Sequence, residues 1–218
     1  MEAHSITEPD GIEAVYRREA LGAFAHEVRT PLTAIRMVLE LASRDGATGA
    51  LVLDRELASM LSASLDDLQG LADDLQETSR IERGKVALIG GQCNLREAYI
   101  AATEPLMRAH IALAGEAPPS VMGPWDLRYL TRAIAGFADT ANRSGAGSGE
   151  VQFESSLEEG AVRLTFASGT PGGAPKAIAS DAGFSFFRAR QFVLAMGGRV
   201  EWDRAEHYLS VNATLPLA

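Results

Sequence analysis

The sequence predicts an α+β chain: a helical hairpin that forms a four-helix bundle by dimerising, followed by a compact α/β sandwich. Three observations predict it. Apolar or small residues recur at alternating gaps of four and three through the first third of the chain. A polar, glycine-bearing stretch, Ser43–Gly49, interrupts that repeat. After Gly84 the pattern changes to shorter helical runs mixed with period-two alternation. The expected boundaries are an N-terminal tail over 1–14, the hairpin over 15–85 and the second domain over 93–218.

The first helix carries its repeat at Leu21, Ala25, Val28, Leu32, Ile35, Leu39 and Ala42. The second repeats it at Leu57, Leu61, Ser64, Leu68, Leu71, Leu75 and Thr78, with Leu65 and Ile81 widening the stripe. Such spacing is the seam of a coiled-coil-like bundle. Stripes this wide are not covered within one hairpin, so a second hairpin from a partner copy is expected to cover them. An intramolecular bundle with the rest of the chain is the alternative.

In the second domain, Asn94–His110 has helical spacing with Asn94 as N-cap and Glu97 in capping-box position. Pro105 predicts a kink or break there. Pro118, Pro119 and Pro124 mark a loop, and helical spacing returns over Trp125–Arg143. Val151–Phe153 and Val162–Phe166 alternate as strands about a turn at Glu158–Gly160; Gly169–Pro175 reads as loop. A helix over Phe184–Met196 ends at Gly197–Gly198, and Val200–Trp202 and Leu209–Leu215 close the domain as strands.

Bulk properties exclude several classes. A net charge of −9 opposes general binding to nucleic acid or anionic membranes, since both need basic patches. No run of about 18 apolar residues is present, so no membrane span is expected. Met1–Asp10 lacks the basic-then-apolar order of a signal peptide. The single cysteine, Cys93, forms no internal disulfide and fits a reducing cytoplasm. The four histidines are scattered without metal-ligand spacing, so no metal site is expected.

His26 falls one position past the seam residue Ala25, where an imidazole is open to solvent and to a docking partner. Glu27 follows directly, a carboxylate able to hold one ring proton so that the other nitrogen is a nucleophile. Thr30 lies four residues on, on the same helical face. Pro31 deprives the Glu27 carbonyl of its helical donor at a cost of about 3 kcal/mol.

The string Phe24-Ala25-His26-Glu27-Val28-Arg29-Thr30-Pro31-Leu32, set in an unbroken heptad, resembles the phosphoacceptor box of bacterial sensor histidine kinases. Ser79-Arg80-Ile81-Glu82-Arg83-Gly84-Lys85 is similar to the close of that family's dimerisation hairpin. The resemblance implies that His26 is phosphorylated, that Glu27 is the acid/base, and that Thr30 serves phosphatase activity. The partners implied are a second copy of the chain and a response-regulator receiver domain, with Mg²⁺ held by the regulator.

The second domain resembles the family's ATP-binding domain in its order of elements, with its nucleotide residues altered. Aligning Asp139-Thr140-Ala141 with the family's D-N-A puts Thr140 where an Asn holds Mg²⁺, and the earlier Asn falls on Gly136. Ser168 replaces the Asp that reads adenine, and Ser185 replaces the second glycine of the last box, between Phe184 and Phe186. The lid segment, Gly173–Ala182, is short. Weak or absent ATP binding is expected, with no cofactor. The sequence therefore predicts a cytoplasmic, homodimeric histidine phosphotransferase exchanging phosphate with receiver domains. An autokinase with an unusual nucleotide site and a non-catalytic scaffold that binds regulators stay open as alternatives.

Overall fold

Helix α1 (Pro9–Asp45) runs unbroken for 37 residues, about 55 Å, with Pro31 inside it. The computed structural model describes residues 9–45, 53–84, 91–145, 149–169, 183–205 and 208–217. Pro9 opens α1 inside the stretch expected as a tail; a proline in the first turn forfeits no helical bond. Residues 1–8 lie outside the described ones. The expected turn at Ser43–Gly49 does so from Gly46 onward, while Ser43–Asp45 still belong to α1. Helix α2 (Arg55–Glu82) completes the hairpin. Asp54 caps it, its carboxylate accepting from the Leu57 N–H at 2.8 Å.

Burial divides the apolar residues of α1 into two sets. Ala20, Ala23, Pro31, Val38 and Ala42 are buried. Leu21, Leu32 and Leu39, from the seam expected by spacing, are 61%, 50% and 45% exposed. Of the seven seam residues only Ala42 is buried within the chain; Val28 and Ile35 are half-buried, and the leucines stay open, as a stripe awaiting a second hairpin would be. On α2 the expected stripe is the sheltered one, with Ser64 and Thr78 buried and Leu68, Leu71 and Leu75 half-buried, while Leu65 at its margin is exposed. Both hydroxyls donate to the carbonyl four residues back, Ser64 to Met60 at 2.9 Å and Thr78 to Asp74 at 2.8 Å.

The chain divides into two compact units between Ser79 and Arg80. In the second, β1 (Cys93–Asn94) pairs antiparallel with β3 (Met122–Gly123). A five-stranded sheet has the order β2-β4-β5-β7-β6, from β2 (Ala112–Ala114), β4 (Glu150–Glu158), β5 (Ala161–Gly169), β6 (Arg199–Ala205) and β7 (Tyr208–Pro216). Only β2 runs parallel to its neighbour; the other pairs are antiparallel. Alternation places Val151, Phe153, Val162, Leu164, Phe166, Leu209 and Val211 in one core with the helices. Those helices are α3 (Leu95–Arg108), α4 (Leu127–Ser144) and α5 (Gly183–Ala195). Each large core side chain contributes about 1.5–3 kcal/mol by leaving water. Aromatic pairs order the packing, among them Tyr99–Phe153 at 4.8 Å and Tyr129–Phe192 at 4.9 Å.

Helix starts and stops follow the sequence signals. The Asn94 side chain accepts from the Arg96 N–H, and Asp126 accepts from the N–H groups of Arg128 and Tyr129. Gly197, at φ 76°, closes α5 with the Gly198 N–H bonded to the Val193 carbonyl. Pro105 makes no break: α3 passes through it. Its missing N–H faces Ala101 on the exposed side, where water can serve that carbonyl, and the helix ends one turn later. The short strands β1, β2 and β3 were not expected from the sequence. The lid segment Gly173–Ala182 lies outside the described residues.

Candidate functional site

His26 lies near the middle of α1 on its exposed side. The helical period puts Arg29, Thr30 and Thr33, all exposed, on the same face one and two turns on. One patch thereby carries an imidazole, a guanidinium and two hydroxyls. Glu27, next to His26, is half-buried and makes contacts of its own. The sequence-predicted trio therefore stands on one stretch of one helix, with His26 and Thr30 outward and Glu27 turned toward the sheltered side. Pro31 is buried directly behind them. The Thr33 hydroxyl donates to the Arg29 carbonyl at 2.8 Å, tightening the turn that follows the proline. An exposed imidazole with a carboxylate beside it and a cation one turn away can accept a phosphoryl group delivered from solvent. Sequence reasoning missed Arg29; its three-residue spacing from His26 was the available signal.

The nucleotide-box positions of the second unit are in a different state. Thr140, aligned with the Mg²⁺-holding Asn, has no exposed surface, and its hydroxyl donates to the Gly136 carbonyl at 2.7 Å. Gly136, aligned with the earlier Asn, is covered by α5. A Cβ added there would lie 3.0 Å from Ala189 Cβ and 3.1 Å from the Ser185 carbonyl. Ser168, in the place of the adenine-reading Asp, is 3% exposed. The backbone at Gly145, the C-cap of α4, presses on it: a Cβ there would be 2.3 Å from its Oγ.

The last glycine box is occupied by aromatic rings. Phe184 and Phe186 are buried; Phe186 meets Trp202 edge-on at 5.4 Å and Phe137 at 6.0 Å. Ser185 accepts from Arg143 at 3.1 Å, and the same guanidinium pairs with Asp139 at 2.6 Å. This tie between α4 and the start of α5 was also missed, although Asp139 and Arg143 have i,i+4 spacing. Asn142, which fits neither Asn position, accepts from the Gly149 N–H at 3.0 Å and fastens the end of α4 to the start of β4.

Cys93 is the one group here whose titration moves far. Burial, and then the negative charges of Glu97 and Asp126, push its thiol up to about 11. It stays protonated and unreactive at neutral pH. Among the described residues no group of His, Cys, Asp or Glu is arranged to hold a metal, and no helix is long and apolar enough to cross a membrane.

Residues 16–84 match the His Kinase A (phospho-acceptor) domain. The signal transduction histidine-protein kinase BaeS of Escherichia coli (strain K12) is 28% identical over 160 residues, 72% of this chain and 33% of BaeS. The chain thus spans about a third of that relative's length. Among solved structures, the histidine kinase AdeS of Acinetobacter baumannii aligns at a TM-score of 0.61 and 17% identity, over 88% of this chain and 98% of that one. Full-length ShkA, in complex with AMPPNP, aligns at 0.59 and 20% identity, over 89% of this chain and 45% of ShkA. Likeness at such identities speaks for the fold, a helical hairpin followed by an α/β domain. A phospho-acceptor domain over residues 16–84 with its histidine box intact, joined to a domain of that fold, is what this chain shares with bacterial sensor histidine kinases.

Proposed function

We propose that this chain carries a phosphoryl group on His26 and exchanges it with the receiver aspartate of a response regulator, without using ATP. The observation that carries this reading is the packing of α5 over Gly136, with Thr140 buried and bonded to its own helix. A magnesium nucleotide needs an oxygen ligand it can reach, and Thr140 has no exposed surface. In transfer, a His26 ring nitrogen attacks phosphorus in line as the bond from phosphorus to the aspartate oxygen breaks. Glu27 holds the proton of the other ring nitrogen, and the regulator's Mg²⁺ neutralises the phosphoryl oxygens. The open stripe of Leu21, Leu32 and Leu39 is the face on which two copies form a homodimer. One buried, protonated cysteine is consistent with action in the cytoplasm.

The rival reading is an autokinase, favoured by the fold shared with ShkA, whose structure holds AMPPNP. Incubation with radiolabelled Mg-ATP separates the two. No label is expected on the chain from ATP, whereas a labelled phospho-receiver domain labels the wild type and not His26→Ala. Label from ATP alone assigns the autokinase; label from neither source assigns the scaffold.

A further inference from the structure

Strand β2 pairs with β4 only from Glu150 to Gln152, and among the described residues no strand neighbours the rest of that edge of β4. The parity of its main-chain groups is fixed by two contacts. The Ala112 N–H donates to the Gly149 carbonyl at 2.7 Å, so odd-numbered residues face β2. The Phe153 carbonyl agrees: a Cβ added to Gly115 would lie 2.1 Å from it. By the same alternation, the N–H and C=O groups of Ser155 and Leu157 point out of the sheet along an edge that β2 does not reach.

A groove of about 630 Å³ runs beside this edge, between Gly115–Pro119 and Gln152–Ser155. Its outer wall is fastened to the start of α3. Arg96 donates to the Pro118 carbonyl at 2.9 Å, Asn94 to the Ser120 hydroxyl at 2.8 Å, and the Leu95 N–H to the Val121 carbonyl at 3.0 Å. These three bonds tie that wall to a regular helix rather than leaving it as a free loop. At its far end Leu157 is 56% exposed, an apolar contact beside the open backbone.

We propose that this edge binds an extended, basic segment of a partner protein by strand addition, a function separate from the chemistry at His26. Charge selects that occupant. Glu116 and Glu154 line the groove and make no ion pair among the described residues. Arg96 is the one cation lining the groove and is turned to the Pro118 carbonyl, so two carboxylates face one guanidinium there; Glu159 follows at the end of the strand, where Glu158 is paired with Arg163 at 2.8 Å. A second copy of this chain is disfavoured at the edge, because antiparallel pairing of two β4 strands would set Glu154 and Glu158 of both copies on one face.

The test uses the full-length chain and a fluorescein-labelled peptide alternating lysine and valine, with a glutamate–valine peptide as control. The basic peptide is expected to bind and to slow hydrogen exchange at the Ser155 and Leu157 amides. Those of Glu154 and Ser156, which face β5, are protected with or without it. Ser155→Pro removes one edge donor at a position where proline is tolerated, and is expected to weaken binding at least about tenfold. The double variant Glu116→Lys, Glu154→Lys leaves the backbone intact and is expected to reverse the preference between the two peptides. Binding without protection at Ser155 and Leu157 would overturn the proposal, as would equal affinity for both peptides. Protection that rises with protein concentration in the absence of peptide would assign the edge to a second copy and overturn it too.

Discussion

His26 and Thr140 both stand on long helices at positions where the histidine kinase family places a chemical group, and their surroundings are opposite. Around His26 every polar side chain of the outer face is exposed, and the apolar packing is confined to the other side of α1. Around Thr140 the helix is closed in: α5 lies over Gly136, and the hydroxyl is turned back to the carbonyl below it. The difference teaches where substitution is tolerated. An exposed helix face is held by little besides its own backbone, so its residues answer to chemistry. A face against a neighbouring helix answers to packing.

The comparison breaks most visibly at Glu27. Glu27→Gln is expected to slow phosphorylation of His26 by about 10²–10⁴-fold, because the ring loses the carboxylate that holds its proton. Thr30→Ala is expected to leave transfer nearly intact and to reduce hydrolysis of the phospho-regulator, since the hydroxyl can orient water and a methyl group cannot. Equal losses in both variants, read from transfer and hydrolysis rates with one receiver, would mean that the residues merely shape the docking surface.

Next in size is the open stripe of α1. Leu32→Asp with Leu39→Asp is expected to raise the dimer dissociation constant by about 100-fold or more, as two buried leucines contribute about 1.5–3 kcal/mol each. Analytical ultracentrifugation checks this, and an unchanged dimer would place the interface elsewhere. Smaller still is Gly136→Asn, which restores a family residue into space that Ala189 and the Ser185 carbonyl fill. Overpacking of this kind costs about 1–3 kcal/mol. The melting temperature should fall by several degrees, and calorimetry should show no gain in Mg-ATP binding.

The smallest effect concerns Cys93. Its pKa in the folded state, about 11, exceeds the ordinary 9.0, so folding favours the protonated thiol. That stabilisation is fully present below 9.0 and is lost as pH rises toward 11. Urea titrations across this window should show the wild type losing stability faster than Cys93→Ala.

The phosphoacceptor helix was legible because its signal is local: nine consecutive residues set in a regular repeat. The four strands of β4 to β7 were legible for the same reason, each having alternation over several residues. What local pattern left open was nonlocal. Helix α1 has apolar residues on two faces, and spacing alone does not say which is sheltered within the chain and which is left open. Strand β2 is three residues of Ala-Leu-Ala, too short and too weak in strand propensity to announce itself. Alignment could set Gly136 at a position where the resembling family has an Asn, but the contact that covers it comes from Ala189, 53 positions on, and no local pattern encodes it.

The edge-on contact between Phe186 and Trp202 has a spectroscopic consequence. The chain has two tryptophans, and Trp125 is sealed in the core with its indole N–H donating to the Pro216 carbonyl. Trp202 is half-buried against the ring that stands in the last glycine box. Any molecule that pries the start of α5 away from the sheet must separate Phe186 from that indole and shift its emission, while Trp125 stays constant as an internal reference. The protein thus carries its own unlabelled fluorescent gauge of whether that pocket ever opens.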